Sequence, residues 1–272
     1  MKLAFCSISA LDRPLADAAA LARAVGLEAI EVSAHPPHLV PEEGPDAARV
    51  AGRAVRAAGL EVVAYGSYLG RFGQTTRRHA EREAALAAAL ETALLRVWAE
   101  PLEDGQTDPR PTVELMQAAC DAARSHGITV VVERHLGSFA DTPERIAELF
   151  AAIDRPNVSL NYQVLDFLPP DAVGRQADDA ARLAGQARYF HLKNYQWNPD
   201  GVSAVIPGGS LEHGVLEYRA ILRAALAAGY TGPLTIEFLA ADARSVEEKL
   251  AADVAFVRRV LAELGVGQTP AV

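Results

Sequence analysis

The sequence predicts a single α/β domain built as a closed (β/α)8 barrel. Short, apolar, β-branched segments alternate with Ala/Leu/Arg-rich amphipathic segments over the whole chain of 272 residues. Each short segment is apolar nearly throughout, as parallel strands covered by helices are. Residues 1–265 are assigned to the barrel, and the tail 266–272 is expected to be disordered. The strand candidates are residues 3–7, 29–32, 61–65, 95–99, 129–133, 159–163, 189–193 and 234–238.

The segments between the strands carry the start and stop signals of helices. Thr142 precedes Pro143, which places a capping residue before a proline at the first helical position. Ser245 and Glu248 have the spacing of a capping box. A doubly wound open sheet is the alternative, but no glycine fingerprint follows the first strand. Glycines also stand where helices must end, at Gly26, Gly59, Gly127 and Gly229.

Composition limits the classes of function and partner. Half of the chain is apolar, 22% is charged and the net charge is −9, which argues against general binding to nucleic acid or to an anionic membrane. No run of about 18 apolar residues exists to span a bilayer. Cys6 and Cys120 lie in no metal-knuckle spacing and indicate a reduced, cytoplasmic protein. We therefore expect a small-molecule substrate, with neither nucleic acid nor membrane as partner; a homo-oligomer is left open.

Ionisable and amide side chains end four successive strands. Glu133 ends the fifth strand, Gln163 the sixth with Asp166 three residues later, His191 lies in the seventh, and Glu237 ends the eighth. The active site of a (β/α)8 barrel lies where the carboxyl ends of its strands converge. Taken singly, each residue is more often a salt-bridge or hydrogen-bonding side chain. Two carboxylates facing one mouth repel each other unless a cation intervenes, and these oxygen and nitrogen donors suit Mg, Mn or Co.

Five further residues are candidates for substrate binding at the same mouth. His135 is expected either to touch substrate or to orient the glutamate before it, and Lys193 to bind a substrate oxyanion. Asp166 and Glu31 are expected to line the pocket. Trp197 is expected either to stack on a sugar face or to cap the barrel. A solvated lysine and a capping tryptophan are the alternative interpretations.

The segments "VVVERH", "NYQVLD", "FHLKN" and "YTGPLTIEF" together resemble the xylose-isomerase-like TIM-barrel superfamily, the sugar phosphate isomerase/epimerase group. The resemblance covers nearly the full chain. It implies one divalent metal ion (Mn, Mg, Co or Zn) held by Glu133, Gln163, His191 and Glu237. It also implies that the two glutamates act as acid/base groups. Such proteins usually carry Asp-x-x-His in strand six, where this chain has Gln163 and Asp166, so the site is either intact with a less negative shell or weaker for metal.

These observations predict a metal-dependent sugar isomerase or epimerase of carbohydrate metabolism. The reaction would be proton transfer next to a carbonyl of a small polyhydroxylated substrate. A lyase or dehydratase of an inositol- or keto-acid-like substrate is one alternative. A barrel that binds a sugar-like ligand without catalysis is another. An apurinic endonuclease is disfavoured, because only seven histidines are present and the chain is acidic.

Overall fold

Eight parallel strands close into a barrel, which confirms the predicted fold. A computed structural model describes residues 1–101, 105–199 and 205–266. Each barrel strand pairs in parallel with its neighbours around the ring in the order β1-β10-β7-β6-β5-β4-β3-β2. These strands are β1 (Leu3–Cys6), β2 (Ala29–Ser33), β3 (Glu61–Gly66), β4 (Leu94–Trp98), β5 (Thr129–Glu133), β6 (Val158–Tyr162), β7 (Ala187–Leu192) and β10 (Leu234–Ile236).

Helices cover the outside of the barrel. Many of their barrel-facing residues are alanines, such as Ala18, Ala19 and Ala22 of the first helix, and all three are fully buried. Small side chains of this kind let a helix approach the sheet closely. The helices are α1 (Leu15–Ala24), α2 (Gly44–Ala57), α3 (Arg77–Leu90), α4 (Arg110–Arg124), α5 (Pro143–Ile153), α6 (Pro170–Val173), α7 (Gln176–Leu183), α8 (Tyr218–Ala227) and α9 (Val246–Glu263).

The predicted helix caps are present. The Thr142 side chain accepts a hydrogen bond from the Arg145 backbone N–H at 3.3 Å. Ser245 and Glu248 exchange hydrogen bonds of 3.2 and 2.8 Å, which is the reciprocal pattern of a capping box. None of the helices in the described part of the chain combines the length and apolar character that crossing a bilayer demands. Within the tail 266–272, residues 267–272 lie outside the described residues.

The interior of the barrel is layered. Residues two apart on a strand point to the same face, so each inward position is followed by another two residues later. Ala64, Val131 and Tyr189 form a small apolar cluster of their own. Glu133 and His191 follow two of these residues at that spacing, nearer the carboxyl ends of their strands. A polar layer therefore lies directly above an apolar one.

An antiparallel hairpin that the sequence analysis did not predict follows β7. It consists of β8 (Asn194–Trp197) and β9 (Val205–Gly209). The Asn194 side chain fixes its base: Oδ1 accepts from the backbone N–H of Tyr195 and Leu216, at 2.7 and 3.0 Å. Hairpin positions with Gly and Pro do not show the alternation of an ordinary strand, which explains why the sequence did not indicate it.

The loop after β3 is bonded to the end of β4 at Gly70. Trp98 donates its backbone N–H to the Leu69 carbonyl at 2.8 Å, and Gly70 has a φ of +87°. A Cβ atom at Gly70 would lie 1.8 Å from the Trp98 carbonyl oxygen. Only glycine allows this approach, which positions the loop over the mouth of the barrel.

Gly70→Ala is expected to destabilise the protein by about 2–4 kcal/mol, since strained backbone and a clash with fixed main chain add together. The matched control is Gly73→Ala in the same loop, where φ is +77° but no atom lies within 4 Å of the added Cβ. That control should lose only about 1 kcal/mol, the cost of the backbone conformation. Urea unfolding measures both, and equal losses would contradict the close approach at Gly70.

Candidate active site

A cavity of about 270 Å³ opens at the carboxyl end of the barrel. Its wall includes the carboxylates of Glu133, Asp166 and Glu237. The same wall carries nitrogen-bearing side chains and aromatic rings; the nitrogen-bearing residues are Arg71, Arg96, His135 and Lys193, and the aromatic ones Tyr68, Phe72, Trp98 and Phe238. A larger groove beside Met1, Tyr230 and Leu264 contains no carboxylate or histidine in its wall. Residues from the strand ends line the cavity at the mouth of the barrel, so chemistry on a polar substrate is assigned there.

Two predicted substrate-binding residues do not line this cavity. Glu31 is fully buried, and its two carboxylate oxygens bind Arg96 and His191. It therefore lies behind the cavity wall and does not face the cavity. Trp197 lies on the hairpin, half exposed, and lines a separate groove with Tyr195 and Gly209. The hairpin carries the ring away from the mouth, which a linear sequence could not show.

A buried arginine joins two glutamates from different strands. Arg96 donates from Nε to Glu31 Oε1 at 2.9 Å and from Nη1 to Glu133 Oε2. All three side chains are at most 4% exposed. A buried carboxylate is costly unless a cation and hydrogen bonds compensate it, so this arginine makes the acidic layer tolerable.

His191 lies between Glu31 and a third carboxylate of the same layer, Glu237. Its Nε2 is 2.6 Å from Glu31 Oε2, and its Nδ1 is 3.4 Å from Glu237 Oε1. Burial alone would lower the pKa of His191, but Glu237 and Glu31 outweigh it and raise the pKa to about 10. The ring is therefore a cation at neutral pH in the protein without bound metal.

The same contacts keep the two carboxylates ionised. Burial would raise the pKa of Glu31, yet His191 and Arg96 lower it to about 2. Burial would likewise raise the pKa of Glu237, but His191 and then Lys193 hold it well below its ordinary value. Tyr189 adds a hydrogen bond of 2.7 Å to Glu31 from the apolar layer below.

Lys193 is buried in the wall beside two acids. Its Nζ lies 3.0 Å from Asp166 Oδ1 and 3.8 Å from Glu237 Oε2. Burial would lower the pKa of Lys193, but Glu237 and Asp166 raise it, so the ammonium stays charged. Tyr195 also donates to Asp166 Oδ1, at 2.8 Å. The predicted residues Asp166, Lys193 and His135 thus line one cavity, and their contact with substrate stays a prediction.

Gln163 lies next to Glu133 but outside the cavity wall. Its Nε2 donates to Glu133 Oε1 at 2.7 Å and to the Arg134 carbonyl at 2.9 Å. With Arg96 on the other oxygen, both oxygens of Glu133 are engaged by nitrogen donors. Both donors would have to move for Glu133 to bind a metal through either oxygen in the plane of its hydrogen bonds, and the four-residue ligand set stays a prediction.

Among the residues that the structure describes, Cys6, His191 and Glu237 bring together donor atoms that could hold a metal. One ligand atom from each lies within 4.8 Å of the other two. Glu237 Oε2 and Gln163 Oε1 are buried oxygens without a hydrogen-bond partner in the described part of the chain, although Lys193 is at ion-pair distance from the first. Oxygens of this kind suit a cation. The centre therefore fits a divalent metal ion that displaces the protons of His191 and Cys6.

Three residues of this layer escaped the sequence analysis. Arg96 interrupts the apolar strand "LLRVW", and a charge inside a buried strand was the available signal. Cys6 lies in no metal-knuckle spacing and so gave no metal signal; burial with Glu31 and Glu237 nearby raises its pKa well above the ordinary value. Tyr189 carried no signal, since tyrosine is ordinary in a strand.

With the geometry established, similarity to known proteins becomes informative. A family model described as the xylose isomerase-like TIM barrel matches residues 19–260, which is most of the chain. The chain belongs to the xylose isomerase-like TIM-barrel family. No curated protein sequence matches this family member.

Solved structures with the same fold include two with enzyme names. One is the probable 3-DHS dehydratase AsbF of Bacillus anthracis, 21% identical over 95% of this chain and 99% of that one, with a TM-score of 0.71. Another is the D-allulose 3-epimerase of Methylomonas sp., 13% identical over 96% and 98%, with a TM-score of 0.70. A xylose isomerase-like protein of Mycobacterium smegmatis, in complex with magnesium, is 20% identical over 97% of both chains, with a TM-score of 0.70. At these identities the likeness shows the fold of this xylose isomerase-like barrel alone.

Replacing Arg96 with methionine should destabilise the protein by about 3–5 kcal/mol at pH 8, because Glu31 and Glu133 lose their buried cation. The control is Arg155→Met, which breaks an exposed pair with Asp121 at 2.7 Å and should cost no more than about 1 kcal/mol. Urea unfolding at fixed pH measures both losses. Similar losses in the two variants would show that the buried network is not needed for stability.

The loss in Arg96→Met should depend on pH. In the wild type, Glu31 has a folded-state pKa of about 2, below its ordinary 4.5. Its contribution to the free energy of unfolding is therefore complete above pH 4.5 and is lost as the pH falls towards 2. Without Arg96 the buried carboxylates take up protons more readily. The difference in unfolding free energy between wild type and variant should therefore be smaller at pH 5 than at pH 8, and a constant difference would contradict the account.

Proposed function

We propose that this chain is an isomerase or epimerase that moves a proton on the carbon next to a carbonyl group. The substrate is a small polyhydroxylated compound. The observation that carries the proposal is that Glu133 and Glu237 line one cavity from opposite sides of a charge network. Each glutamate is paired with a different cation, Arg96 for the first and His191 for the second.

The two glutamates divide the proton transfer between them. Glu133 removes the proton α to the carbonyl, and the electron pair moves onto the carbonyl oxygen to give an enediolate. The ammonium of Lys193 binds that oxygen as its negative charge develops. Glu237 is ionised at rest, so it relays a proton from water at the open mouth to carbon as the enediolate collapses. The hydroxide left behind takes the proton held by Glu133, which restores both carboxylates. Return to the neighbouring carbon, with the α hydroxyl proton passing to the former carbonyl oxygen, gives isomerisation. Return to the opposite face of the α carbon gives epimerisation.

A divalent metal ion is part of the proposal. When bound, it would supply Lewis acidity at the carbonyl and adjacent hydroxyl oxygens. His191 and Glu237 are proposed to hold it, with Gln163 Oε1 and Cys6 as further donors. A sulfur donor favours Zn or Co over Mg or Mn. The support is the proximity of Cys6, His191 and Glu237 and the lack of a hydrogen-bond partner, among the described residues, on the buried Glu237 Oε2.

Glu133→Gln should abolish exchange of the α hydrogen with solvent and reduce turnover by about 10²–10⁴-fold, since an amide cannot act as the base. The matched control is Glu61→Gln at the amino end of β3, an exposed position whose variant should behave as wild type. Proton NMR in D₂O over a panel of ketoses, keto-inositols and their phosphates measures label and turnover together. Product without solvent label would indicate hydride shift and end the two-glutamate mechanism.

Measuring metal affinity in two variants distinguishes the proposed metal ligand His191 from the proposed base Glu133. His191→Gln should remove zinc or cobalt binding to the chelator-treated protein, because it replaces the nitrogen donor at the centre of the cluster. Glu133→Gln should bind the same metal with affinity within about tenfold of wild type, since its oxygens face Arg96 and Gln163 instead. Isothermal titration calorimetry measures both. Unchanged affinity in His191→Gln would remove the metal from the proposal.

A dehydratase on the same site is the second candidate, and Lys193 favours it. A buried ammonium between Asp166 and Glu237 can give a proton to a departing hydroxyl group after Glu133 has removed the α hydrogen. The products differ by the mass of one water from those of an isomerase. Mass spectrometry on the same panel therefore decides between the two candidates.

A further inference from the structure

Arg71 stands at the entrance of the cavity on a loop whose backbone is fixed. Its N–H donates to the Tyr68 carbonyl at 3.0 Å, and its carbonyl accepts from the Gln74 N–H at 3.0 Å. Gly70 donates to the Gln74 carbonyl at 2.8 Å and approaches Trp98 as only glycine can. The backbone that carries Arg71 is thus positioned before any ligand arrives.

The guanidinium is held by aromatic rings. Its central carbon lies 4.3 Å from the Trp98 ring centre and 4.7 Å from that of Phe72. Trp98 is itself held, because its Nε1 donates to the Ser67 carbonyl at 3.0 Å and Tyr68 stacks parallel to it. Contacts of this kind restrict the guanidinium to few orientations. Binding a ligand therefore costs the Arg71 side chain little conformational entropy.

Arg71 keeps its hydrogen-bonding capacity. Its Nε lies 3.3 Å from Glu100 Oε1, within ion-pair distance but without the alignment of a hydrogen bond. Glu100 also lies 3.5 Å from His135 Nδ1, so one carboxylate is shared between two groups. In the part of the chain that the structure describes, no acceptor forms a hydrogen bond with the Arg71 guanidinium. By contrast, Arg96 and Lys193 are engaged by buried carboxylates.

We propose that Arg71 is the subsite for a carboxylate group of the substrate. A planar guanidinium presents two parallel N–H groups, which match the two oxygens of a carboxylate. His135 lies in the same wall and provides a second polar contact. Given the isomerase or epimerase activity proposed above, on which this inference rests, the substrate is a polyhydroxylated carbonyl compound that also bears a carboxylate.

The charges of the cavity favour a carboxylate over a phosphate. Glu133, Asp166 and Glu237 line the floor, and the cations Arg96 and Lys193 are already committed to them. Arg71 shares Glu100 with His135, but its guanidinium makes no hydrogen bond to the described residues, so its N–H groups remain available for the substrate's anionic group. Because these carboxylates surround the site, a group with one negative charge meets less repulsion there than a phosphate monoester with nearly two.

The test compares two ligands that differ only at one end. D-Gluconate and D-glucitol share a six-carbon hydroxylated chain, and only the first carries a carboxylate. Calorimetry on the full chain should show gluconate binding at least about tenfold more tightly, as expected for a charge-assisted bidentate pair. Arg71→Gln should reduce that ratio to about one while glucitol affinity stays the same. Arg49→Gln, at an exposed arginine outside the cavity, should keep the wild-type ratio.

Several results would overturn the subsite. Equal affinity for the two ligands in wild type, no measurable binding of either, or an equal loss of both in Arg71→Gln would each do so. D-Glucitol 6-phosphate is the third ligand of the comparison. If it binds more tightly than gluconate, the subsite recognises a phosphate and the carboxylate proposal is wrong. Neither gluconate nor glucitol contains a carbonyl group that can be isomerised, so the ratio is independent of turnover. Failure of solvent exchange with an intact ratio would reject the proposed function alone.

Discussion

The contact of Arg96 with Glu31 and Glu133 is the interaction on which the rest of the site depends. Carboxylates from β2 and β5, with Glu237 beyond β10, converge inside a barrel where water cannot screen them. Without a cation they would repel each other and take up protons. Arg96 comes from β4, between the two strands in the ring, and bonds to both glutamates at once. Its charge makes an acidic layer compatible with a folded barrel.

The charge network also prepares the mouth of the barrel for chemistry. Glu31 holds His191, His191 faces Glu237, and Glu237 faces Lys193, so each charged group is oriented by its neighbour. Groups that are fixed before substrate arrives need no costly rearrangement during a reaction. The same cavity wall adds Arg71 at the entrance, which separates recognition from the proton-transfer groups below.

The sequence was sufficient for the barrel and, to within two residues, for the ends of its strands. Alternation of apolar and amphipathic segments depends only on local periodicity, and Glu133 and His191 occupy the strand ends that periodicity indicated. The position of Glu31 behind the cavity wall could not be predicted, because its partners Arg96 and His191 are 65 and 160 residues away in sequence. Arg96 was overlooked because its role depends on Glu31 and Glu133, which come from other strands and which the sequence alone does not place beside it. Trp197 was misplaced because a hairpin rich in Gly and Pro lacks strand alternation.

The charge state of His191 is the most direct measure of this network. Its ring is expected to be doubly protonated at pH 8 in the chelator-treated protein, because the flanking carboxylates raise its pKa to about 10. Nitrogen-15 NMR of histidine-labelled protein distinguishes the charged ring from either neutral tautomer, with His191→Gln identifying the signal. The account predicts an imidazolium at pH 8 that loses its proton only near pH 10. A neutral ring at pH 8, titrating near the ordinary value of 6.5, would contradict it.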